Sequence, residues 1–153
     1  MASIMVLAGV SFNYRTPICF IENTMKSLDY TLTYTSHILP NIPRSWRSDW
    51  RLLQDNAPPH RALATKKYFD DMGVNCISFP PKSPDLNIIE NVWNLLARQV
   101  YSDGKPKRDI NELRQSIIQS WWILSPITIN GLVDSMKDRL IAVIKSDGSS
   151  TKY

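Results

Sequence analysis

Ser83-Pro84-Asp85-Leu86-Asn87-Ile88-Ile89-Glu90-Asn91-Val92-Trp93 is the most informative run in the chain. It sets a proline-framed loop, a helix start and a carboxylate side by side. Pro80, Pro81 and Pro84 hold φ near −65°, so the residues that follow leave on a fixed path. Ile89, Val92, Trp93, Leu96 and Val100 then recur at helical spacing and make one apolar face. Asn87 and Glu90 have the N-cap to N3 spacing of a capping box, in which Glu90 would only hydrogen-bond the cap's own N–H.

A second acidic island, Gln54-Asp55-Asn56-Ala57-Pro58-Pro59-His60, lies upstream, with 34 residues between Asp55 and Glu90. Residues 50–54 read as a strand that delivers Asp55 at its C-terminal end, where open α/β sheets place their ligands. Taken singly, Asp55 is a turn residue and Glu90 a cap. Taken together, one acid ends a strand and the other opens a helix reached through a stiff loop. Paired carboxylates of this kind suit a hard divalent cation such as Mg²⁺, which takes oxygen ligands. Two such ions support phosphodiester cleavage by activating one oxygen and stabilising the leaving one.

Outward from these islands the chain reads as a mixed α/β protein. Residues 3–10 form a nearly unbroken apolar run, suited to a strand covered on both faces. Residues 12–15 offer a turn with Asn13 tolerant of positive φ, and residues 17–21 return as a strand. Ser27 is placed to cap a helix reaching about Leu39, with Tyr30, Tyr34 and Ile38 on one face. A helix over residues 60–72 turns Ala62, Thr65, Phe69 and Met72 inward and stops at Gly73. Residues 74–79 read as a buried strand. Asp109 and Glu112 open a further helix with Ile110, Leu113, Ile117 and Trp121 on its inner face. Ser125-Pro126 starts a last helix carrying Leu132, Val133, Met136, Leu140, Val143 and Ile144, ended by Asp147-Gly148. The adjacent Trp121 and Trp122 cannot both face one core.

The 153 residues suffice for one domain with a real core. A net charge of +4 permits a polyanionic partner without demanding one. Arg44, Arg47 and Arg51 form one basic cluster and Lys105, Lys107 and Arg108 another; each is solvated surface unless a phosphate backbone is the partner. Cys19 and Cys76 sit singly in apolar runs, which argues against a zinc site or disulfide scaffold and reads as buried, reduced thiols inside the cell. The apolar start has no basic leader and falls short of the ~20 residues of a membrane span.

Gln54-Asp55-Asn56 with His60, and Ser83-Pro84-Asp85-Leu86-Asn87 with Glu90, Asn91 and Trp93, resemble the catalytic domain of mariner-superfamily (Tc/mariner) DDE transposases. The last residues, from Asp134 through Arg139 and Gly148 to Tyr153, resemble the end of such proteins. The likeness runs over nearly the whole chain. It implies a ribonuclease H-like mixed sheet with flanking helices and two C-terminal helices. Residues 1–102 would be the DDE core and 103–153 a helical extension of the same domain. It implies that Asp55 and Glu90 are the second and third acids of a three-carboxylate site for Mg²⁺ or Mn²⁺. Asn56 and His60 flank the second acid, and Asn87 and Asn91 the third, as auxiliary residues. The resemblance also implies DNA as partner (transposon ends and target, contacted by the two basic clusters), a homodimer, and a nuclear location.

The departures matter as much. In this family the first Asp lies on a central strand preceding the run at residues 3–10, and the chain begins too late to include it. The paired helix-turn-helix modules by which the family reads transposon ends are likewise not expected within these residues. Ile88 stands where a proline is common, and Leu7 where a tryptophan is. The expectation is a DDE fragment that does not cleave DNA alone, with open strand edges where the central strand belongs. The alternatives are a domesticated nucleic-acid-binding or interaction module without catalysis, and a competent transposase whose upstream part is not in this sequence.

Overall fold

The structure is a computed structural model that describes residues 3–22, 24–46, 48–81, 83–149, 151 and 153. Alternation along its first strand sets the layers. β1 (Met5–Leu7) pairs antiparallel with β4 (Cys19–Ile21) in the register Met5 to Ile21, Val6 to Phe20 and Leu7 to Cys19. Successive strand side chains point to opposite faces. Leu7 accordingly packs with a cluster built on Tyr30, Tyr34, Ile38, Ile42, Phe69 and Val74. Ile4, Val6 and Ala8 pack with the other cluster, built on Val92, Leu96, Val100, Leu113, Ile117 and Trp121. The strands thus lie between two helical layers, as the unbroken apolar run predicts.

That run is not one strand. It breaks at Ala8-Gly9 and resumes as β2 (Val10–Ser11), which pairs with β3 (Tyr14–Arg15). At the break Thr16 donates its N–H to the Gly9 carbonyl at 2.9 Å, and its hydroxyl accepts from the Gly9 N–H at 2.9 Å. A side chain has replaced one rung of the ladder. The hairpin itself is as expected, with Asn13 at φ 56° in its turn.

α1 (Ser27–Thr33) begins with Ser27 as its first residue; the cap position falls to Lys26, whose N–H donates to the Asp29 carboxylate at 3.0 Å. The helix then widens into a π-helical turn at Tyr34–Ile38 and tightens to a 3₁₀ turn at Leu39–Asn41. Thr35 and Ser36 hydroxyls donate back to the Thr31 and Leu32 carbonyls at 2.8 Å each, a bonding pattern that competes with the regular ladder. The expected stripe survives, with Tyr30 and Tyr34 buried to 3% and 2% exposure.

The expected helix over 60–72 is two pieces, α2 (Pro58–Arg61) and α3 (Leu63–Asp71), parted by Ala62 in an extended conformation. Thr65 and Phe69 are buried as expected, but Met72 is exposed at the C-terminal cap. Gly73 supplies the left-handed stop at φ 66°. The strands expected at 50–54 and 74–79 shrink to one parallel bridge, Leu52 to Cys76, closed by Leu52 N–H to Asn75 O and Ile77 N–H to Leu52 O at 2.8 Å each. Val74 is buried, but Asn75 through Ser78 are exposed, and with them the Cys76 thiol. The expectation of two buried cysteines holds for Cys19 alone.

α4 (Ile88–Val100) and α5 (Ile110–Ile123) form the second layer, packed through Val92, Leu96 and Val100 against Leu113, Ile117 and Trp121. Asp109 caps α5 through the Asn111 and Glu112 N–H groups, while Glu112 turns back to the Arg108 N–H instead of completing the box. Ile110 is exposed, unlike the rest of that stripe. Trp121 is fully buried and Trp122 half exposed, separating the pair as their adjacency requires. The single last helix is in fact two, α6 (Pro126–Asp134) and α7 (Met136–Lys145), so three helices follow α4 rather than two. Leu140 and Ile144 are exposed, and the buried residue of α7 is Arg139.

Candidate functional site: two carboxylates on two anchored loops

Asp55 leaves the Leu52 bridge just before the turn into α2. Its Oδ1 accepts from the Ala57 N–H at 2.9 Å and from His60 Nδ1 at 2.6 Å. That contact makes Nδ1 the protonated ring nitrogen when His60 is neutral. The carboxylate side chain is 43% exposed while His60 is 18% exposed, so the histidine stands behind the acid. Among the described residues Oδ2 has no partner. One oxygen is pinned and the other is free.

His60 is itself backed by an aromatic wall. The Tyr30 ring lies 4.2 Å from the imidazole and 5.9 Å, edge-on, from Phe69. Burial first, and then the neighbouring Tyr34, Cys76 and Asp55, push the Tyr30 hydroxyl far above its ordinary range, so it stays protonated and donates to Gln54 Oε1. Thr65, fully buried, donates to the Pro59 carbonyl at 2.7 Å and holds the two helix pieces together. Asn56 reaches across to the Phe79 carbonyl at 2.9 Å, which ties the Asp55 loop to the segment leading into Pro80-Pro81.

Glu90 occupies the first turn of α4, where the helix dipole favours an anion. The capping-box reading is not what forms: Asn87 makes no side-chain cap bond, and only backbone closes the turn, Glu90 N–H to Asn87 O at 3.1 Å. Among the described residues the Glu90 carboxylate has no hydrogen-bond or ion-pair partner, and the residue is exposed. Asn87 is buried and Asn91 half-buried beside it.

The loop that delivers Glu90 is held from far along the chain. Asp85 lies in a short 3₁₀ turn, Pro84–Leu86. Its Oδ2 accepts from both the N–H and the hydroxyl of Thr151, each at 2.8 Å, and its carbonyl accepts from Arg139 Nη1 at 2.8 Å. The two Thr151 bonds, aided by Arg139, hold the Asp85 carboxyl below the usual carboxylate range. Arg139 is 2% exposed; Ser135 Oγ accepts from its Nε at 2.8 Å, and the Tyr153 ring lies 4.8 Å from its guanidinium. Sequence reasoning does not single out Tyr30, Arg139 or Thr151 as site residues. A cation within the Met136, Leu140 and Val143 stripe is the signal available for Arg139; nothing local marks Thr151.

The basic residues divide. Arg44, Arg51 and Lys105 are exposed. Lys107 is largely covered, paired with Asp103 at 3.0 Å, and Arg108 is paired with Glu112 at 3.1 Å. Arg47 lies outside the described residues. Asp55, Asn56 and His60 form one connected group, and Asn87, Glu90 and Asn91 share one helix start. No group of three or more His, Cys, Asp or Glu that could cage a metal occurs among the described residues. Nor is any helix among them long and apolar enough to cross a membrane.

Comparison with known proteins gives this geometry a family. A model of the DDE superfamily endonucleases matches residues 2–114. The Tc3 transposase of Caenorhabditis elegans is 33% identical over 151 residues, covering 99% of this chain and 46% of that protein. The Tc1 transposase of the same organism is 28% identical over 152 residues, 99% of this chain and 55% of its own. The chain therefore spans about half the length of the transposases it matches. Among solved structures, the Mos1 transposase catalytic domain with raltegravir and Mg aligns with a TM-score of 0.77 at 14% identity, over 97% of this chain and 77% of that one. The Mos1 mariner paired end complex with Mn aligns with a TM-score of 0.74 at 15% identity, over 97% of this chain and 45% of that one. The chain belongs to the DDE superfamily endonucleases, with the ribonuclease H-like fold of the Mos1 catalytic domain. Within that class it is a Tc/mariner transposase catalytic domain.

Proposed function

We propose that this chain supplies Asp55 and Glu90, the second and third acids of a DDE site that cuts and joins transposon DNA. The observation that carries the reading is a pair of solvent-facing carboxylates whose oxygens, Asp55 Oδ2 and those of Glu90, have no partner among the described residues, each on an anchored loop. Neither is consumed by the structural role its sequence position allows: the Glu90 capping box does not form, and Asp55 keeps one oxygen beyond its turn. Oxygen donors of this kind fit Mg²⁺ or Mn²⁺, with Asp55 and Glu90 as ligands, but they make only part of a cage. A bound divalent metal in such a site activates the attacking oxygen and stabilises the leaving one. This chain's own residues do the positioning: His60 and the Ala57 N–H fix the Asp55 carboxylate, and Asn56 ties its loop to the segment at Phe79. Asn87 and Asn91 act as auxiliary residues at the Glu90 helix start.

With two acids and, among the described residues, no third grouped beside them, residues 1–153 alone are expected not to nick DNA, since the chemistry depends on ligand geometry. Supercoiled plasmid incubated with the chain and Mg²⁺ or Mn²⁺ tests this. Nicking that disappears in Asp55→Ala and Glu90→Ala overturns the claim of inactivity. DNA is the partner we assign, in the nucleus, with Arg44, Arg51 and Lys105 making the phosphate contacts; Lys107 and Arg108 contribute less because their charges are already paired. Binding whose logarithm falls linearly with that of salt, and weakens in the Arg51→Ala and Lys105→Ala variants, is the expected result. The same binding with no dependence on metal favours the reading of a binding module without catalysis.

A further inference from the structure

The start of α4 is poorly secured by its own neighbours. The turn before it closes on Leu86 N–H to Ser83 O at 3.1 Å and Asn87 N–H to Pro84 O at 2.9 Å, and the Asn87 side chain does not cap the helix. Yet Leu86 and Asn87 are buried at 6% and 5% exposure, so the loop is seated and not loose. What seats it comes from the other end of the chain. Three bonds of 2.8 Å converge on Asp85, two from Thr151 at a separation of 66 residues and one from Arg139 at 54. After α7 the chain reverses through Asp147 at φ 50° and Gly148 at φ 80°, with the Ser146 hydroxyl donating to the Ser149 carbonyl at 2.9 Å. That reversal brings Thr151 onto the loop and the Tyr153 ring over the Arg139 guanidinium.

We propose that Arg139 and Thr151 are positioning residues for Glu90: α7 and the C-terminal tail latch the 83–87 loop through Asp85 and so fix where the first turn of α4 presents its carboxylate. Arg139 reads only a backbone carbonyl on the loop, so it holds the loop's path. Thr151 takes up the Asp85 carboxylate with two bonds, which makes that carboxylate an anchor and not a ligand. The division of labour is chemical. An ionised carboxylate accepting an N–H and an O–H together is a stronger tether than neutral hydrogen bonds of the same number. This inference rests on the reading of Glu90 as a metal ligand.

The test uses the full chain and two readouts, amide hydrogen exchange at Leu86, Asn87 and Glu90, and line broadening of amide signals by Mn²⁺. In the unaltered chain Mn²⁺ should broaden signals around both Asp55 and Glu90, and Glu90→Gln should abolish the effect at residue 90. Asp85→Asn should speed exchange across the loop about tenfold and weaken broadening at Glu90 while sparing Asp55. Thr151→Val, the milder change, should move both readouts in the same direction, and Thr151→Ser should restore them. Unchanged exchange and unchanged broadening in Asp85→Asn and Thr151→Val overturn the latch and leave the metal reading standing. Faster exchange with undiminished broadening at Glu90 overturns the positioning role. No broadening at Glu90 in the unaltered chain overturns the metal reading, and the positioning role falls with it.

Discussion

The two halves of the site are secured in opposite ways. Asp55 is held by neighbours: Ala57 and His60 grip its carboxylate from two and five residues away. Among the described residues nothing holds the Glu90 side chain, and its loop is fastened by residues 54 and 66 positions along from Asp85. A carboxylate gripped through one oxygen keeps its orientation even if the surrounding loop loosens slightly. A carboxylate that must stay wholly free can be aimed only through its backbone. The Glu90 half therefore needs a rigid mount, and the chain builds it out of its last helix and tail.

The largest loss should come from the wall behind Asp55. Phe69 is 2% exposed and meets Tyr30 edge-on, and Tyr30 in turn packs against His60. Phe69→Ala is expected to cost about 3–5 kcal/mol, as large-to-small core substitutions of this kind do. Urea melts give the value, and a loss under about 1 kcal/mol, well short of the usual cavity cost, would mean that the wall does not support this half.

Arg139 is the counterpart on the other half. Arg139→Met keeps most of the apolar stem but strands the Asp85 carbonyl and removes the cation from the Tyr153 ring. A loss of roughly 1.5–3 kcal/mol is expected, the range for hydrogen bonds to charged groups. Arg139→Lys should recover only part of it, because a lysine lacks the planar fork that serves Ser135 and Asp85 at once. Full recovery by lysine would show that charge alone, without the fork's geometry, seats the loop.

The same contrast explains what is legible in the sequence. The Asp55 half follows from short-range chemistry: Asp-Asn-Ala-Pro-Pro-His puts a turn acid and a histidine within one another's reach, and the Tyr30, Tyr34 and Ile38 stripe announces the wall. The periodicity of an ordinary core also serves α4, where Val92, Leu96 and Val100 are buried as their spacing requires. Breaks inside elements are not legible. The apolar run at 3–10 shows no sign that Thr16 replaces a rung beside Gly9, and the helix over 60–72 shows none that Ala62 turns extended and parts it in two. A one-residue change of backbone conformation is set by tertiary bonds, which leave no periodic trace. The Asp85 latch is hidden for the same reason: no local pattern couples an aspartate to a threonine at a separation of 66 residues. The break in the last helix is equally silent, because the apolar stripe runs on through Ser135 where α6 gives way to α7.

A smaller effect should come from His60. His60→Ala removes the 2.6 Å bond to Asp55 Oδ1 and the ring packed on Tyr30, with the Ala57 N–H still in place. The expected cost is about 1 kcal/mol, near the net worth of one hydrogen bond. The sharper readout is local: Mn²⁺ broadening should weaken around Asp55 and persist around Glu90, the mirror image of Asp85→Asn. Equal weakening at both acids would show that the two halves are one unit and are not secured separately.

The smallest effect is a pH dependence confined to the latch. The Thr151 N–H, then its hydroxyl, then Arg139 hold the Asp85 carboxyl below its ordinary value. A group whose folded value is depressed contributes stability above its unfolded value, about 3.9 for aspartate, and loses that contribution as pH falls through the folded value. The latch should therefore be fully formed above pH of about 4 and weaken only in acid below it. Asp103, Asp109 and Glu112 are depressed in the same way by their own loop and cap bonds, so acid destabilises the whole chain and the raw melt is uninformative. The difference between the unaltered chain and Asp85→Asn isolates one group, since the other three are common to both. That difference should be constant above pH of about 5 and shrink on acidification, by an amount on the order of a few tenths of a kcal/mol once solvent screening at this half-exposed site is allowed for. A difference that stays flat down to pH of about 2, well below the ordinary aspartate value, would mean that Thr151 binds Asp85 equally well in either protonation state, and that the tether works through shape without charge.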